Sequence, residues 1–171
     1  DDLMDGSGAV SAGRSYATGK QMFQVAGCSQ CHGMGTGGNS VGPDLIDVGT
    51  RYTASQILEH LLDPSLEVAD EYKTFVVETK SGKEYFGQIV TQSGDSVVVR
   101  EDPLKPDVTV AVKKSEIKVI DPIAMSPMPT DLLITLNKDE IWDLIAYLLS
   151  GDKPTYQAFD QAAAHHAHAA S

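Results

Sequence analysis

Cys28-Ser29-Gln30-Cys31-His32 is the stretch that decides how this chain is read. It is a C-x-x-C-H run, the covalent attachment signature of c-type haem. Two thiols on one short turn form thioethers to the two haem vinyl groups. The adjacent imidazole then sits under the iron as the proximal axial ligand. The same cysteine spacing serves redox dithiols and zinc half-sites, so the surroundings matter. A zinc site needs further soft ligands, and the chain has 2 Cys in all. A thioredoxin-type dithiol follows a strand. Here a helical stretch precedes the motif and the glycine-rich run Gly33-Met34-Gly35-Thr36-Gly37-Gly38 follows it.

Working outward, residues 15–26 read as a helix with Met22, Phe23, Val25 and Ala26 as its apolar positions and Gly27 as its stop. Thr53-Ala54-Ser55-Gln56 fits a capping box. It opens a second helix whose apolar stripe is Ile57, Leu58, Leu61 and Leu62, ended by Asp63-Pro64-Ser65. His60 on that helix reads as an exposed histidine and not as a ligand. From Tyr72 the period changes. Short β-rich runs at 74–79, 84–90, 97–100, 108–112 and 117–120, separated by turn residues, predict a small antiparallel sheet or barrel. A last helix is expected over 138–149. Asn137 and Glu140 form its cap, Ile141, Leu144, Ile145 and Leu148 its buried stripe, and Trp142 and Tyr147 its flanks. The Gly/Ser/Asp-rich residues 1–14 read as a flexible lead-in, and 152–171, with His165, His166 and His168, as a flexible tail.

Composition narrows the function classes. The 171 residues suit one domain or a small domain with an insertion, and 42% apolar content supports a core. Aromatic content of 6% suits a small core completed by a large apolar cofactor. A net charge of −11 argues against nucleic acid and anionic membranes as partners and favours a redox protein with a basic docking face. The acidic excess falls almost wholly outside 70–121. No apolar run is long enough to span a membrane. Asp1-Asp2-Leu3 looks like a processed end, with no signal peptide in view.

The order of parts then resembles a known family. Helix, C-x-x-C-H, Gly42-Pro43-Asp44-Leu45, helix, Ser126-Pro127-Met128-Pro129 and the closing Asp143-Leu144-Ile145-Ala146-Tyr147-Leu148 helix resemble a class I c-type cytochrome. The β-rich insertion, with Asp63-Pro64-Ser65, Tyr72, Gly82-Lys83 and Tyr85-Phe86-Gly87, is similar to the haem-binding cytochrome c domains typical of planctomycetes and verrucomicrobia. The resemblance covers roughly residues 15–150, an ordinary domain length.

That resemblance implies a mainly α cytochrome c fold, about three to five helices around one covalent haem c, with an inserted β sheet or barrel, α+β overall. It divides the chain into 15–71 with haem attachment, a 72–121 insertion, and 122–151 with the methionine loop and closing helix. It makes Cys28 and Cys31 the thioether positions and His32 the proximal iron ligand. The Pro43 carbonyl would accept the imidazole's other N–H. Met128 would be the distal ligand. Such domains carry Leu or Met before the Met-Pro pair, where this chain has Pro127, so Met125 stays open as the alternative. The implied function is one-electron transfer by a soluble, periplasmic or otherwise extracytoplasmic carrier, not an enzyme. The alternative is a haem enzyme or ligand sensor with an open or labile sixth site.

Overall fold

The computed structural model describes residues 10, 12–35 and 41–159. The expectations for most of the lead-in, for Thr36 to Ser40 and for the histidine-bearing end of the tail fall outside them. The described chain forms two compact units, one helical and one built on a sheet.

The helical unit takes residues up to 35, Pro43–Leu62 and residues from 130 to 159. Helix α1 is Tyr16–Val25, capped by the Ser15 hydroxyl, which accepts from Thr18 N–H at 3.1 Å. Helix α2 is the short Val48–Arg51, and α3 is Ala54–Leu62. At the head of α3, Thr53 N–H donates to Gln56 Oε1 at 2.9 Å and Gln56 N–H reaches back to Thr53 Oγ1 at 3.4 Å, the reciprocal cap the sequence predicts. Helix α4 is Lys138–Ser150. Its cap is also reciprocal: Glu140 N–H donates to Asn137 Oδ1 at 3.0 Å and Asn137 N–H to Glu140 Oε2 at 2.8 Å.

The core of this unit is where α1 meets α4. A Cβ on Gly19 would lie 2.2 Å from the Asp143 carbonyl oxygen, so the two backbones touch only because Gly19 has no side chain. Around that contact Leu144, Ile145 and Ala146 are completely buried. Each large apolar side chain withdrawn from water in this way contributes about 1.5–3 kcal/mol. Tyr147 belongs to this core and is not a flanking residue. It is 2% exposed, with its ring edge-on to Tyr16 at 5.7 Å and tilted to Phe23 at 5.6 Å. Two expected core positions lie outside it: Val25 is 59% and Leu62 51% exposed, because each ends its helix on the solvent side. His60 is half-buried, with its ring edge against Tyr52 at 4.9 Å, where the sequence pointed to an exposed residue.

The sheet unit is Asp63–Pro129 with residues 41–42. Its strands are β1 Thr74–Thr79, β2 Glu84–Thr91, β3 Ser96–Arg100, β4 Val110–Lys113 and β5 Ile117–Ile123. They form one antiparallel sheet in the order β4-β3-β2-β1-β5. β5 returns after a 3-10 turn to pair with β1, with Val76 opposite Asp121 and Val77 opposite Ile120. Val77, Val97, Val99 and Val112 form the core on one face, joined by Tyr85, Ile89, Val110, Ile117 and Ile120. β-branched residues dominate because they pack well on a pleated surface.

Candidate functional site

The C-x-x-C-H run begins where α1 stops. Gly27 takes the left-handed conformation, φ +79°, which turns the chain out of the helix at little cost. A 3-10 turn, Cys28–Gln30, follows. Cys31 N–H and His32 N–H both donate to the Cys28 carbonyl, at 3.1 and 2.9 Å. Both thiols and the imidazole therefore sit on one tight turn.

The environment of these groups is partly dry. Cys28 is buried and Cys31 half-buried, and both are free thiols. Burial pushes the Cys28 thiol up to about 11 and raises Cys31 as well. At neutral pH both are thiols and not thiolates, unlike the activated cysteine of a redox dithiol. Burial also lowers the His32 pKa, against the opposing pull of the Pro43 carbonyl and the Asp44 charge.

The tautomer of His32 follows from its partner. Nδ1 lies 2.8 Å from the Pro43 carbonyl oxygen, which can only accept, so Nδ1 carries the proton and Nε2 keeps its lone pair. A neutral imidazole held in this way is a directed donor ligand. Pro43 is held in turn by its neighbours. Leu45 N–H donates to the Gly33 carbonyl at 2.9 Å. Gly35 N–H reaches both Asp44 carboxylate oxygens, at 2.9 and 3.0 Å, and Ile46 N–H donates to Asp44 Oδ1 at 2.8 Å. Sequence reasoning quoted Asp44 within its motif but gave it no role. The signal was present, since Asp readily bonds a backbone N–H two residues on.

These residues suit a covalent haem better than a bare metal. Two thiols and one imidazole nitrogen on a single turn match two thioethers and one axial bond. Among the described residues no group of three or more His, Cys, Asp or Glu is placed to hold a metal ion.

Residues 16–83 match the cytochrome c family model. The match spans α1, the C-x-x-C-H turn, Pro43 and α3, and ends before Met125, Met128 and α4. No curated protein matches the chain. The match supports a c-type cytochrome, implies covalently bound haem c, and points to haem-based electron transfer. The α+β architecture agrees with it: helices carry the matched motif, and a five-stranded antiparallel sheet accompanies them. Among the described residues no helix is long and apolar enough to cross a membrane.

The two methionines proposed for the distal position lie in the sheet unit and differ in setting. Met125 is 54% exposed and lines a cavity of about 180 Å³ with Phe86, Gln88, Arg100 and Pro103. Met128 is half-buried between Pro127 and Pro129. Its N–H donates to Ser126 Oγ at 3.1 Å, while Ser126 N–H donates to Ser65 Oγ at 3.0 Å. This serine tie was not foreseen, because it joins residues far apart in sequence.

Proposed function

We propose that this chain is a monohaem c-type cytochrome that passes one electron at a time between redox partners. The observation that carries the reading is the His32 Nδ1–H bond to the Pro43 carbonyl, on the same turn as two free thiols and inside the matched span.

In this reading Cys28 and Cys31 would hold the haem through thioethers to its two vinyl groups, His32 would offer its Nε2 lone pair to the iron with Pro43 fixing the ring plane and tautomer, and Met128 would supply the distal thioether. Pro127 and Pro129 restrict its loop, and the Ser126–Ser65 tie pins the loop's base, so its side chain is presented at low entropic cost. Met125 instead lines the sheet unit's cavity, which favours Met128 over it. A bound haem supplies the one-electron couple. A soft sulfur ligand favours the ferrous state and fills the sixth position, which suits a carrier and leaves no place for substrate.

The net charge of −11 supports a partner with a basic docking face. Covalent haem attachment supports an extracytoplasmic, periplasmic location. The planctomycete and verrucomicrobial type of domain, with the sheet unit as its insertion, is the architectural part of the proposal.

The test is an optical spectrum of the holoprotein, oxidised and reduced, carried to the weak far-red methionine–iron charge-transfer band, for wild type and Met128→Ala. The band is expected in wild type and lost in the variant. Its survival in the variant would reassign the ligand to Met125. A high-spin wild type that binds carbon monoxide readily would replace the carrier with an enzyme or sensor.

A further inference from the structure

We propose that Asp44 is a positioning residue of the proximal side: its carboxylate clasps the loop that orients His32, and its negative charge holds the iron's reduction potential down. The proposal rests on the haem reading above.

The clasp is visible in the bonds. The imidazole is oriented by one carbonyl, Pro43 O, and that carbonyl leads directly into Asp44. Left alone, a Gly-Pro turn in a glycine-rich segment would let the carbonyl swing. Asp44 prevents this by accepting from Gly35 N–H on one side and Ile46 N–H on the other. The Leu45–Gly33 bond closes the same loop beside His32. Two strands of loop are thus tied across the His32–Pro43 bond by one side chain. Bonds of this kind, from backbone N–H to a carboxylate, are among the stronger ones.

The charge is a separable contribution. Oδ1 alone accepts from both Gly35 and Ile46, so an amide oxygen in the same place keeps both partners and gives up only the second Gly35 contact, to Oδ2. A half-buried carboxylate adds a fixed negative charge close to the proximal imidazole. Ferric iron carries one more positive charge than ferrous, so that carboxylate favours the ferric state. The effect is weakly screened where water is partly excluded.

The experiment uses holoproteins in which covalent haem has been verified by haem staining after denaturation. Redox titration and thermal unfolding are measured for wild type, Asp44→Asn, Asp44→Ala and Asp44→Glu. Asp44→Asn is expected to shift the equilibrium toward ferrous by about threefold to tenfold. At 59 mV per tenfold for one electron, this is a rise of about 30–60 mV. Its unfolding midpoint should stay near wild type. Asp44→Ala should show the same rise with a lower midpoint, and Asp44→Glu should restore the potential. If Asp44→Asn takes up no haem, Asp44→Ala against Asp44→Glu carries the same comparison. Haem-loaded variants with potentials within twofold of wild type in equilibrium overturn the charge role, and an Asp44→Ala midpoint equal to wild type overturns the clasp. A wild type without covalent haem would instead bring down the underlying cytochrome reading, an outcome distinct from either.

Discussion

The helical unit and the sheet unit treat water differently. In the helical unit burial is the main cause for most shifted groups: it raises Cys28, Cys31, Tyr16, Tyr147 and Asp143 and lowers His32, while Lys20 at the surface is raised by hydrogen bonds to Tyr16 and Asp152. In the sheet unit the shifted groups lie on the surface and owe their shifts to hydrogen bonds. Lys73 lowers Asp70, Leu104 N–H lowers Asp102, and the Tyr85 hydroxyl raises Lys83. The buried centre of the sheet's core, Val77, Val97, Val99 and Val112, has nothing to titrate. Desolvated, perturbed groups gather where chemistry is done. The contrast sets desolvated titratable groups in the helical unit against an apolar core in the sheet.

The sharpest way to break this comparison is to remove the attachment turn. Cys28→Ala with Cys31→Ala should abolish haem retained after denaturation. Val97 and Val99 should keep their amide-exchange protection; if they lose it, the two units do not separate as described. Next in size, Gly19→Val drives a side chain into the Asp143 carbonyl and should cost about 3 kcal/mol or more by denaturant unfolding. Val99→Ala empties part of the valine core and should cost about 1–3 kcal/mol with the haem spectrum unchanged. A changed spectrum would mean the sheet does more than pack. Asn137→Ala removes the α4 cap and should cost about 1 kcal/mol.

The smallest effect sharpens the contrast through pH. Burial raises the Asp143 pKa in the folded state, partly offset by Ser15 N–H at 3.0 Å and by Arg14 at 3.6 Å. A carboxyl raised above its unfolded value binds more protons when folded, so stability falls as pH rises from the unfolded pKa to the folded one. Below both values the carboxyl has no effect. Asp143→Asn should flatten that part of the thermal midpoint against pH, and an unchanged slope would show that another group sets it.

Local signals were legible in the sequence and distant pairings were not. The reciprocal caps at Thr53–Gln56 and Asn137–Glu140 span three residues each and were read directly. Strand β1 was placed at its observed ends, because alternation and turn residues are local too. The β5–β1 pairing, the Ser65–Ser126 tie and the close approach of Gly19 to Asp143 join segments that no periodicity links. Helix α2 was missed because Val48-Gly49-Thr50-Arg51 carries little helix propensity of its own. At the candidate site the motif named Cys28, Cys31, His32 and Pro43, while Asp44 emerged only once two backbone N–H groups, those of Gly35 and Ile46, were seen to converge on it.

The way the chain is divided between its units sets an order of birth. The sheet unit is almost one continuous segment, Asp63–Pro129, and can close as soon as that segment has been made. The helical unit is drawn from both ends, and α1 has no partner until α4 has been synthesised. Until then the Cys28 thiol, which the finished fold buries, has no completed core to cover it, and the unit that carries both thiols is the last to close.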